Sequence, residues 1–366
     1  MGAGESTDSD KEGTKDIQFE NNDKSIIYSI IQILYNLKEF KKYISEKDFP
    51  QDCKKPLNMM LKRIFKKSES KINLDKYSRK IHKIINKNYR LDIGETAGKI
   101  LIQILELLNY EENGNKITIW EECLKQNPQF MKNTYIQMEA LKDFEATYKQ
   151  NNDTQIAKFF QGTLLNRRVM QNPMNNYMNF FSYFSVYEIN LTSLYDNLNS
   201  MGINLQNLHI KKDEIPLNKC LTYMINKKIE MYNGMPCFSE IYIFNPPQFL
   251  IFYVYRASDS KNDDVDVSFS ERTDLKEFIV NKNSGTSYDL VGIIKERKIV
   301  VKLSVDGTYE DNDANNKDFP MNKYLAIFKN ENKFYYYNNK NKKKEFNLSE
   351  KDNIYYNHIL FYKKKE

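Results

Sequence analysis

Two serines stand at the start of an apolar stretch, DKSIIYSIIQILYN, which runs from Asp23 to Asn36. A serine hydroxyl attacks a carbonyl carbon only when a nearby base takes its proton, so Ser25 needs such a partner to act as a nucleophile. Serine and aspartate also cap helix N-termini, and either Asp23 or Ser25 is suited to that role. The residue types alone therefore leave two alternatives open for Ser25, a nucleophile or a helix cap.

Metal-binding and disulfide chemistry are not indicated by the cysteines. The chain has four of them: Cys53, Cys123, Cys220 and Cys237. They are far apart and form no CxxC pair, which argues against a zinc ribbon and against the disulfide framework of a secreted protein. No apolar run approaches the ~20 residues that span a bilayer, and no secretory signal is visible. We therefore expect an intracellular protein, cytoplasmic or nuclear, with no metal, no cofactor and no transmembrane segment.

The overall charge is modest for a chain of 366 residues, because 55 basic and 49 acidic residues leave a net charge of +6. A dedicated nucleic-acid binder concentrates more positive charge than this, so no nucleic-acid partner is expected. The basic run Lys340–Lys344 is interrupted by Asn341 and is typical of a solvated turn.

The N-terminal residues 1–16 are small and polar, which predicts a disordered tail. Its first residues, MGAGES, fit the N-myristoylation pattern with Gly2 as the acceptor. A single myristoyl chain anchors a protein weakly without a basic patch, and Asp8 and Asp10 would repel anionic lipid. A myristoyl chain at Gly2 would therefore bind the chain to a membrane only weakly.

Helical spacing of apolar residues dominates the first third of the chain, and strand-like patterns dominate the rest. Predicted helices cover residues 25–45, 57–65, 77–85, 95–109, 120–126 and 135–148. Predicted strands include the segment after Pro246 and Pro247 and residues 288–296, 298–304, 323–329, 334–337 and 357–363. Helices followed by strands predict an α+β fold.

The order of these segments resembles the ubiquitin-specific protease family of cysteine deubiquitinases over about residues 17–366. Aligning Gln32 with the glutamine of the family's first box puts Ser29 on that box's own serine. The segments that carry the resemblance are DKSIIYSIIQIL, GETAGKILIQILELL, FFQGTLLNRRV, IPLNKCLTYMINKKIE, NPPQFLIFYVYRAS, YDLVGIIKERK and NHILFYKKK. Arg256 falls on the arginine of the family's corresponding strand.

The resemblance implies one papain-like cysteine-protease-type right hand, with a helical thumb (about 17–150), β fingers (about 151–244) and a β palm (about 245–366). In active members, a thumb cysteine attacks the isopeptide carbonyl of a ubiquitin conjugate. A palm histidine activates this cysteine, and an Asp or Asn orients the histidine.

The catalytic positions that the resemblance assigns carry other residues in this chain. Ser25 falls on the cysteine, Lys323 on the histidine, Asn338 on the orienting residue and Glu20 on the oxyanion-hole asparagine. Lysine at its ordinary pKa of ~10.4 is protonated at neutral pH and is no base. A carboxylate donates no hydrogen bond to an oxyanion, and its charge opposes the one that develops there. No histidine matches the catalytic position, since His82, His209 and His358 fall elsewhere.

The fingers show a similar departure from the family pattern. Many relatives hold a structural zinc there with two CxxC pairs, of which this chain keeps only Cys237. We predict that the fingers bind no zinc and are held by apolar packing instead. The expected contributors are Phe180, Phe181, Tyr183 and Phe184.

Three functions follow from these replacements. The first is a catalytically inactive, ubiquitin-specific-protease-like domain, or pseudo-deubiquitinase, that acts as a protein-binding or scaffold subunit of a larger assembly. The second is a ubiquitin-binding receptor without catalysis. The third is an active deubiquitinase or hydrolase that uses Ser25 with Lys323 as its base, as Ser-Lys enzymes do.

Overall fold

A computed structural model describes most of the chain, with gaps. The described residues are 17–18, 25–48, 57–66, 72–73, 77, 80–85, 97–113, 153–170, 177–200, 214–225, 228–232, 234–256, 265–297, 302–303, 309–310, 324–337, 343–348 and 355–365. The predicted helices at 120–126 and 135–148, and the myristoylation motif at Gly2, lie outside them. The limits of thumb, fingers and palm remain a prediction.

Helices form where the apolar residues recur at helical spacing. They are α1 (Ser25–Asn36), α2 (Lys38–Glu46), α3 (Leu57–Lys66), α4 (residues 80–85), α5 (Ala97–Glu112), α6 (Gln155–Phe160), α7 (Leu191–Ser200) and α8 (Leu217–Ile225). The prediction of one helix over 25–45 was wrong in one respect. Leu37 has an extended backbone, with φ −76° and ψ 98°, and divides the segment into α1 and α2.

The strands begin where β-branched and aromatic residues take over. They are β1 (Ile17–Gln18), β2 (Ile72–Asn73), β3 (Gly162–Met170), β4 (Tyr177–Phe184), β5 (Tyr187–Asn190), β6 (Glu214–Pro216), β7 (Lys228–Tyr232), β8 (Met235–Asn245), β9 (Phe249–Tyr255), β10 (Asp266–Ser268), β11 (Arg272–Asp274), β12 (Ser287–Arg297), β13 (Lys302–Leu303), β14 (Tyr309–Glu310), β15 (Tyr324–Asn330), β16 (Lys333–Tyr337), β17 (Lys343–Phe346) and β18 (Tyr355–Lys364).

The largest sheet has the strand order β17-β16-β15-β12-β18-β9-β5, with β11 paired to β12. Its pairs are antiparallel except for β5, which runs parallel to β9. The central strand β12 pairs with both β15 and β18. Six of the seven residues of β9 are buried, as expected for a strand whose two faces are both covered.

Each face of this sheet has its own hydrophobic core. On the helical face, Tyr253, Ile294 and Phe361 pack with residues of α1–α6. On the opposite face, Phe252, Ile293 and Leu360 pack with residues of α7, α8 and β10. Helices on one part of the chain and a mostly antiparallel sheet on another make this an α+β fold, as predicted.

A second sheet has the strand order β4-β3-β8-β7. The aromatic residues predicted to hold it do so in part, because Phe181 is buried and meets the ring of Phe244 edge to face at 5.3 Å. Leu165 completes this small core. Phe184 is also buried, but it joins the core of the larger sheet. Aromatic packing of this geometry contributes beyond the area it buries.

Two adjacent glutamates at the end of α5 fasten the helical layer. Glu111 accepts hydrogen bonds from the backbone N–H groups of Leu57 and Asn58, the first residues of α3. Glu112 accepts from the backbone N–H groups of Gln155 and Ile156, the first residues of α6. A helix N-terminus has unsatisfied donors and a partial positive charge, so each carboxylate stabilises one helix from a distant part of the chain.

Candidate functional site

The predicted nucleophile position, Ser25, is the first residue of α1. The predicted apolar stripe of this helix is buried, with Ile26, Ile30 and Ile33 each no more than 5% exposed. The stripe fixes the helix on the sheet, and α1 packs against β15 and β12. The prediction that this segment forms a buried helix is confirmed, whereas the side chain of Ser25 lies outside the described structure.

Two contacts give the direction in which α1 crosses the sheet. Ile33 reaches Gly292 of β12, where a Cβ atom would lie 3.0 Å from its side chain. Further along, Glu39 of α2 forms an ion pair with Lys363, which is in register with Asp289 near the start of β12. The chain therefore advances towards the start of β12, and the first residue of α1 lies towards its end.

The lengths of helix and strand agree with this arrangement. Ser25 precedes Ile33 by eight residues, or about 12 Å of helix. Glu296 follows Gly292 by four residues, or about 13 Å of strand. Glu296 is in register with Tyr324, the first residue of β15. The start of α1 and the start of β15 thus lie at the same end of the helical face.

Three predicted site residues fall outside the described part of the chain. Lys323 immediately precedes β15, Asn338 immediately follows β16, and Glu20 falls between β1 and α1. The strands that flank Lys323 and Asn338 are antiparallel neighbours, with Asn330 in register with Lys333. The elements that would carry a nucleophile and its base are therefore neighbours, while the roles of these residues remain predictions.

A histidine reaches this end of the helical face by an irregularity in β18. Ile359 is in register with Ile294 and Asn357 with Lys295, so His358 is an extra residue, a β-bulge. Regular alternation would put His358 on the opposite face with Leu360. Instead, its ring meets Tyr253 and Tyr324 on the helical face, with centroids 5.2 and 5.7 Å away.

The carboxylate of Glu296 lies next to this histidine. Oε2 of Glu296 lies 3.2 Å from Nδ1 of His358, and the Tyr324 hydroxyl donates to Oε1 of Glu296 at 3.3 Å. Burial is the main cause that raises the pKa of Tyr324 well above its ordinary range, and the nearby Glu296 carboxylate adds to it. The hydroxyl therefore keeps its proton. His358 is 5% exposed, which shields its ring from a large substrate.

On the opposite face of the sheet, a network of hydrogen bonds holds Asn357, the residue before the bulge. Asp266 accepts hydrogen bonds from the backbone N–H and the side-chain amide of Asn357, both at 2.9 Å. Arg256, predicted at the family's arginine position, donates to the same carboxylate at 3.1 Å and to the carbonyl of Asn357. Burial raises the pKa of Asp266, and the Arg256 charge opposes that rise. This network holds Asn357 on the opposite face, so the adjacent His358 turns to the helical face.

Helix α5 begins above the same cluster. A Cβ atom at Gly98 would lie 2.3 Å from the ring of Tyr253, so only a glycine allows the helix to approach β9 this closely. The GETAGKILIQILELL segment supplies this glycine on the second residue of α5. Tyr253 is 2% exposed and therefore fills the space between helix and sheet at this point.

The cysteines that the structure describes are unsuited to metal binding or attack. Cys220 and Cys237 are free, buried thiols. Burial raises the pKa of Cys220 to about 12, so it stays protonated and unreactive at neutral pH. Among the described residues, no group of three or more His, Cys, Asp and Glu side chains could hold a metal ion. None of the described helices is long and apolar enough to cross a membrane.

Sequence reasoning missed the polar partners of this site. No motif marks Glu296 or Asp266, and His358 falls outside the catalytic position that the resemblance assigns. The sequence held one signal for Glu296, which is the last residue of the predicted strand 288–296. In the structure this strand is β12, and it pairs with β15, which begins directly after Lys323. His82 is exposed on α4, and His209 lies outside the described residues.

Comparison with known proteins agrees with this geometry. No curated protein sequence matches the chain. Similar solved structures include a yeast SAGA DUBm with an Sgf73 mutant, with a TM-score of 0.59, and the SAGA Ubp8/Sgf11/Sus1/Sgf73 DUB module, with a TM-score of 0.58. Each is 14% identical to the chain, of which 93% and 95% are covered. The chain spans 66% and 67% of the lengths of the two matched chains, about two thirds.

These structural likenesses are too distant in sequence to show more than a shared fold. A family model described as ubiquitin carboxyl-terminal hydrolase matches residues 22–362, nearly the whole chain. The matched range includes α1, the sheet strands and the segments from which the resemblance was drawn. The chain belongs to the ubiquitin carboxyl-terminal hydrolase family.

Proposed function

We propose that this chain is a catalytically inactive member of its family, a pseudo-deubiquitinase that binds proteins as a subunit of a larger assembly. One observation carries the proposal. Helix α1 packs against β15, and the sequence places Ser25 at the start of α1 and Lys323 directly before β15, where the family has cysteine and histidine. The elements that present a catalytic pair are kept, while the pair itself is replaced.

The chemistry of the replacements supports inactivity. Ser25 needs a base, and a protonated Lys323 accepts no proton at neutral pH. Glu20, at the oxyanion position, opposes the negative charge of the transition state, and the loss of one oxyanion donor alone costs ~10²–10³ in rate. Asn338 is a permitted orienting residue, but it has no histidine to orient.

His358 does not supply the missing base. A general base must come within hydrogen-bond reach of the proton it removes. The side chain of His358 is 6% exposed and lies against Glu296, Tyr253 and Tyr324. A base inside this cluster is separated from a protein substrate by the rings that surround it. We therefore assign the cluster a structural role in the sheet. No described histidine serves as the general base.

A role in an assembly is supported by the structural neighbours. The similar SAGA structures are of modules that contain several proteins, Ubp8, Sgf11, Sus1 and Sgf73. A fold whose catalytic residues are lost still offers its surfaces to partners. We propose an intracellular location, cytoplasmic or nuclear, because the buried cysteines Cys220 and Cys237 are reduced.

The decisive experiment incubates the chain with ubiquitin chains and with a ubiquitin probe that reacts with serine and cysteine nucleophiles. We expect neither cleavage nor labelling. Cleavage that disappears in the Ser25→Ala variant would instead establish the third hypothesis, a hydrolase that uses Ser25 with Lys323.

Reversal of the replacements provides the matched control. The triple variant Ser25→Cys, Lys323→His and Glu20→Asn restores nucleophile, base and oxyanion donor on an unchanged scaffold. We expect it to cleave ubiquitin chains at least about 10²-fold faster than the wild-type chain, since one oxyanion donor alone contributes that much. A folded triple variant without activity would show that other changes, besides these three, prevent catalysis.

Binding measurements separate a scaffold from a ubiquitin receptor. Labelled ubiquitin titrated to ~1 mM, the weak end of useful affinity, should show no binding if the chain serves other partners. Saturable binding would favour the second hypothesis, a receptor without catalysis. Purification of the native chain under mild conditions then identifies the proteins that accompany it.

A further inference from the structure

Positive charge is concentrated in one segment of the chain. Residues 38–90 contain 17 Lys and Arg but only six Asp and Glu, a net charge of +11. The whole chain has a net charge of +6, so the remaining residues are acidic in sum, with a net charge of −5. The modest total thus hides a strongly basic region, which includes α2, α3 and α4.

Six cations of this region are exposed on the helical layer, and we call them the basic helical surface. They are Lys38, Lys42, Arg63, Lys66, Lys80 and Lys83. Within the described part of the chain, none of them forms an ion pair. Like charges gathered on one surface repel each other and attract an acidic partner.

Apart from the exposed Glu46, the described acidic side chains of residues 38–90 are already paired with other cations. Glu39 is paired with Lys363, and Asp48 accepts from Lys62 at 2.9 Å. Glu112 is paired with Lys47 at 2.6 Å and also holds α6. Lys47, Lys62 and Lys363 therefore neutralise these three carboxylates, and the exposed cations of the basic helical surface remain available to another segment.

The chain also carries a segment of opposite charge, which is tethered to the basic region through a strand pair. Residues 1–16 contain five acidic residues and two lysines, a net charge of −3. They lead into β1, which pairs in parallel with β2, with Ile17 in register with Ile72. Strand β2 follows α3 and precedes α4 in the chain, so its pairing with β1 tethers residues 1–16 to the basic region.

We infer that the acidic N-terminal segment, residues 1–16, docks on the basic helical surface and covers it. Sixteen residues reach at most about 50 Å, enough to cross a layer of three short helices. Tethering at β1 gives the segment an effective concentration in the millimolar range, so even weak charge pairs hold it in place. The surface is then open to an acidic polypeptide only when the segment leaves.

Zero-length carbodiimide cross-linking of the full chain tests the contact directly, because the reagent joins carboxylates only to amines that touch them. We expect cross-links from Asp8, Asp10 or Glu12 to Lys42, Lys66, Lys80 or Lys83, and their loss at ~1 M salt, where screening is strong. Cross-links to other regions, or between separate molecules only, would overturn the inference.

Binding of a fluorescent polyglutamate peptide tests whether the surface is covered. In the neutral-tail variant, the five acidic residues of residues 1–16 become the corresponding amides and the length is unchanged. We expect the affinity for the peptide to rise about tenfold at low salt, as the loss of a few surface charge pairs predicts. Equal affinity in the wild-type chain and the neutral-tail variant would show that the surface is already open to an acidic partner, and would refute the docking.

Charge reversal on the surface completes the test. Lys42→Glu with Arg63→Glu should abolish both the cross-links and the gain in peptide affinity. The matched control, Lys219→Glu with Lys276→Glu, reverses two exposed lysines outside the helical layer and should change neither readout. Thermal unfolding confirms that both pairs of variants fold, and an equal effect of the two pairs would leave only non-specific charge attraction.

Discussion

The two faces of the large sheet use buried polar groups differently. On the opposite face, the hydroxyls of Tyr288 and Tyr362 donate to backbone carbonyls, at 2.7 and 3.0 Å, and Arg256 pairs with Asp266. On the helical face, polar side chains gather at the end where α1 and β15 begin, around His358. On the opposite face, the polar side chains of the sheet therefore hold backbone segments, whereas on the helical face the polar side chains of the sheet surround His358.

One irregularity links the two faces. The bulge places His358 on the same face as its neighbour Ile359 and moves Asn357 to the opposite face. Asn357 joins the Arg256–Asp266 network, and His358 joins Glu296. The Arg256–Asp266 network on the opposite face therefore helps to place His358 on the helical face. Substitutions on either face test this coupling.

The largest effect is expected from Arg256→Met on the opposite face. This change leaves the buried Asp266 carboxylate without its cation and should lower the free energy of unfolding by about 3–5 kcal/mol. Urea denaturation measures the loss. The control Arg272→Met removes an exposed cation paired with Asp289 and should cost less than about 1 kcal/mol. A loss of that small size for Arg256→Met would show that the network does not hold the bulge.

A smaller effect is expected on the helical face from Gly98→Leu. The added side chain meets the Tyr253 ring and should destabilise the protein by about 1–3 kcal/mol, as overpacking does. The double variant Gly98→Leu with Tyr253→Ala makes room for the new side chain and should recover part of the loss, as measured by thermal unfolding. Additive losses in the double variant would mean that the two residues are not in contact.

An effect of similar size concerns the pH dependence of stability. Burial raises the pKa of Glu111 to about 7, although two backbone N–H groups stabilise its charge. The unfolded chain loses this proton near pH 4.5 and the folded protein only near pH 7. The contribution of Glu111 to the free energy of unfolding therefore falls as the pH rises through this interval, by about 2–3 kcal/mol.

Unfolding of wild type and Glu111→Gln, compared at several pH values, isolates this contribution. The neighbour Glu112 serves as the control with the opposite sign. Burial raises its pKa, but Lys47, Tyr43 and the start of α6 outweigh that effect and lower it. The stability that Glu112 provides is present above its unfolded pKa and is lost as the pH falls through the folded one. The same pH dependence for both glutamates would contradict the assignment.

Much of the fold could be predicted because its signals are local. The stripe of α1, the helix α5 and the strands β9, β12 and β18 follow from apolar spacing, and the family from the order of segments. The break at Leu37 was missed, since a leucine carries no breaking signal. For the site, the resemblance assigned Ser25, Lys323, Asn338 and Glu20. The structure shows only that the elements beside them are neighbours, so their roles stay predictions.

The sequence by itself determined most of the secondary structure and indicated the family, and it predicts which residues stand at the catalytic positions. Only the tertiary structure decided that His358 faces the helices, that Asn357 faces Asp266, and that Glu111 and Glu112 cap α3 and α6. The hydrogen bonds among these contacts join groups 43 to 91 residues apart in the chain. Helix and strand periodicity depends on neighbours a few positions away and carries no information about such pairs, so the packing of the elements had to establish them.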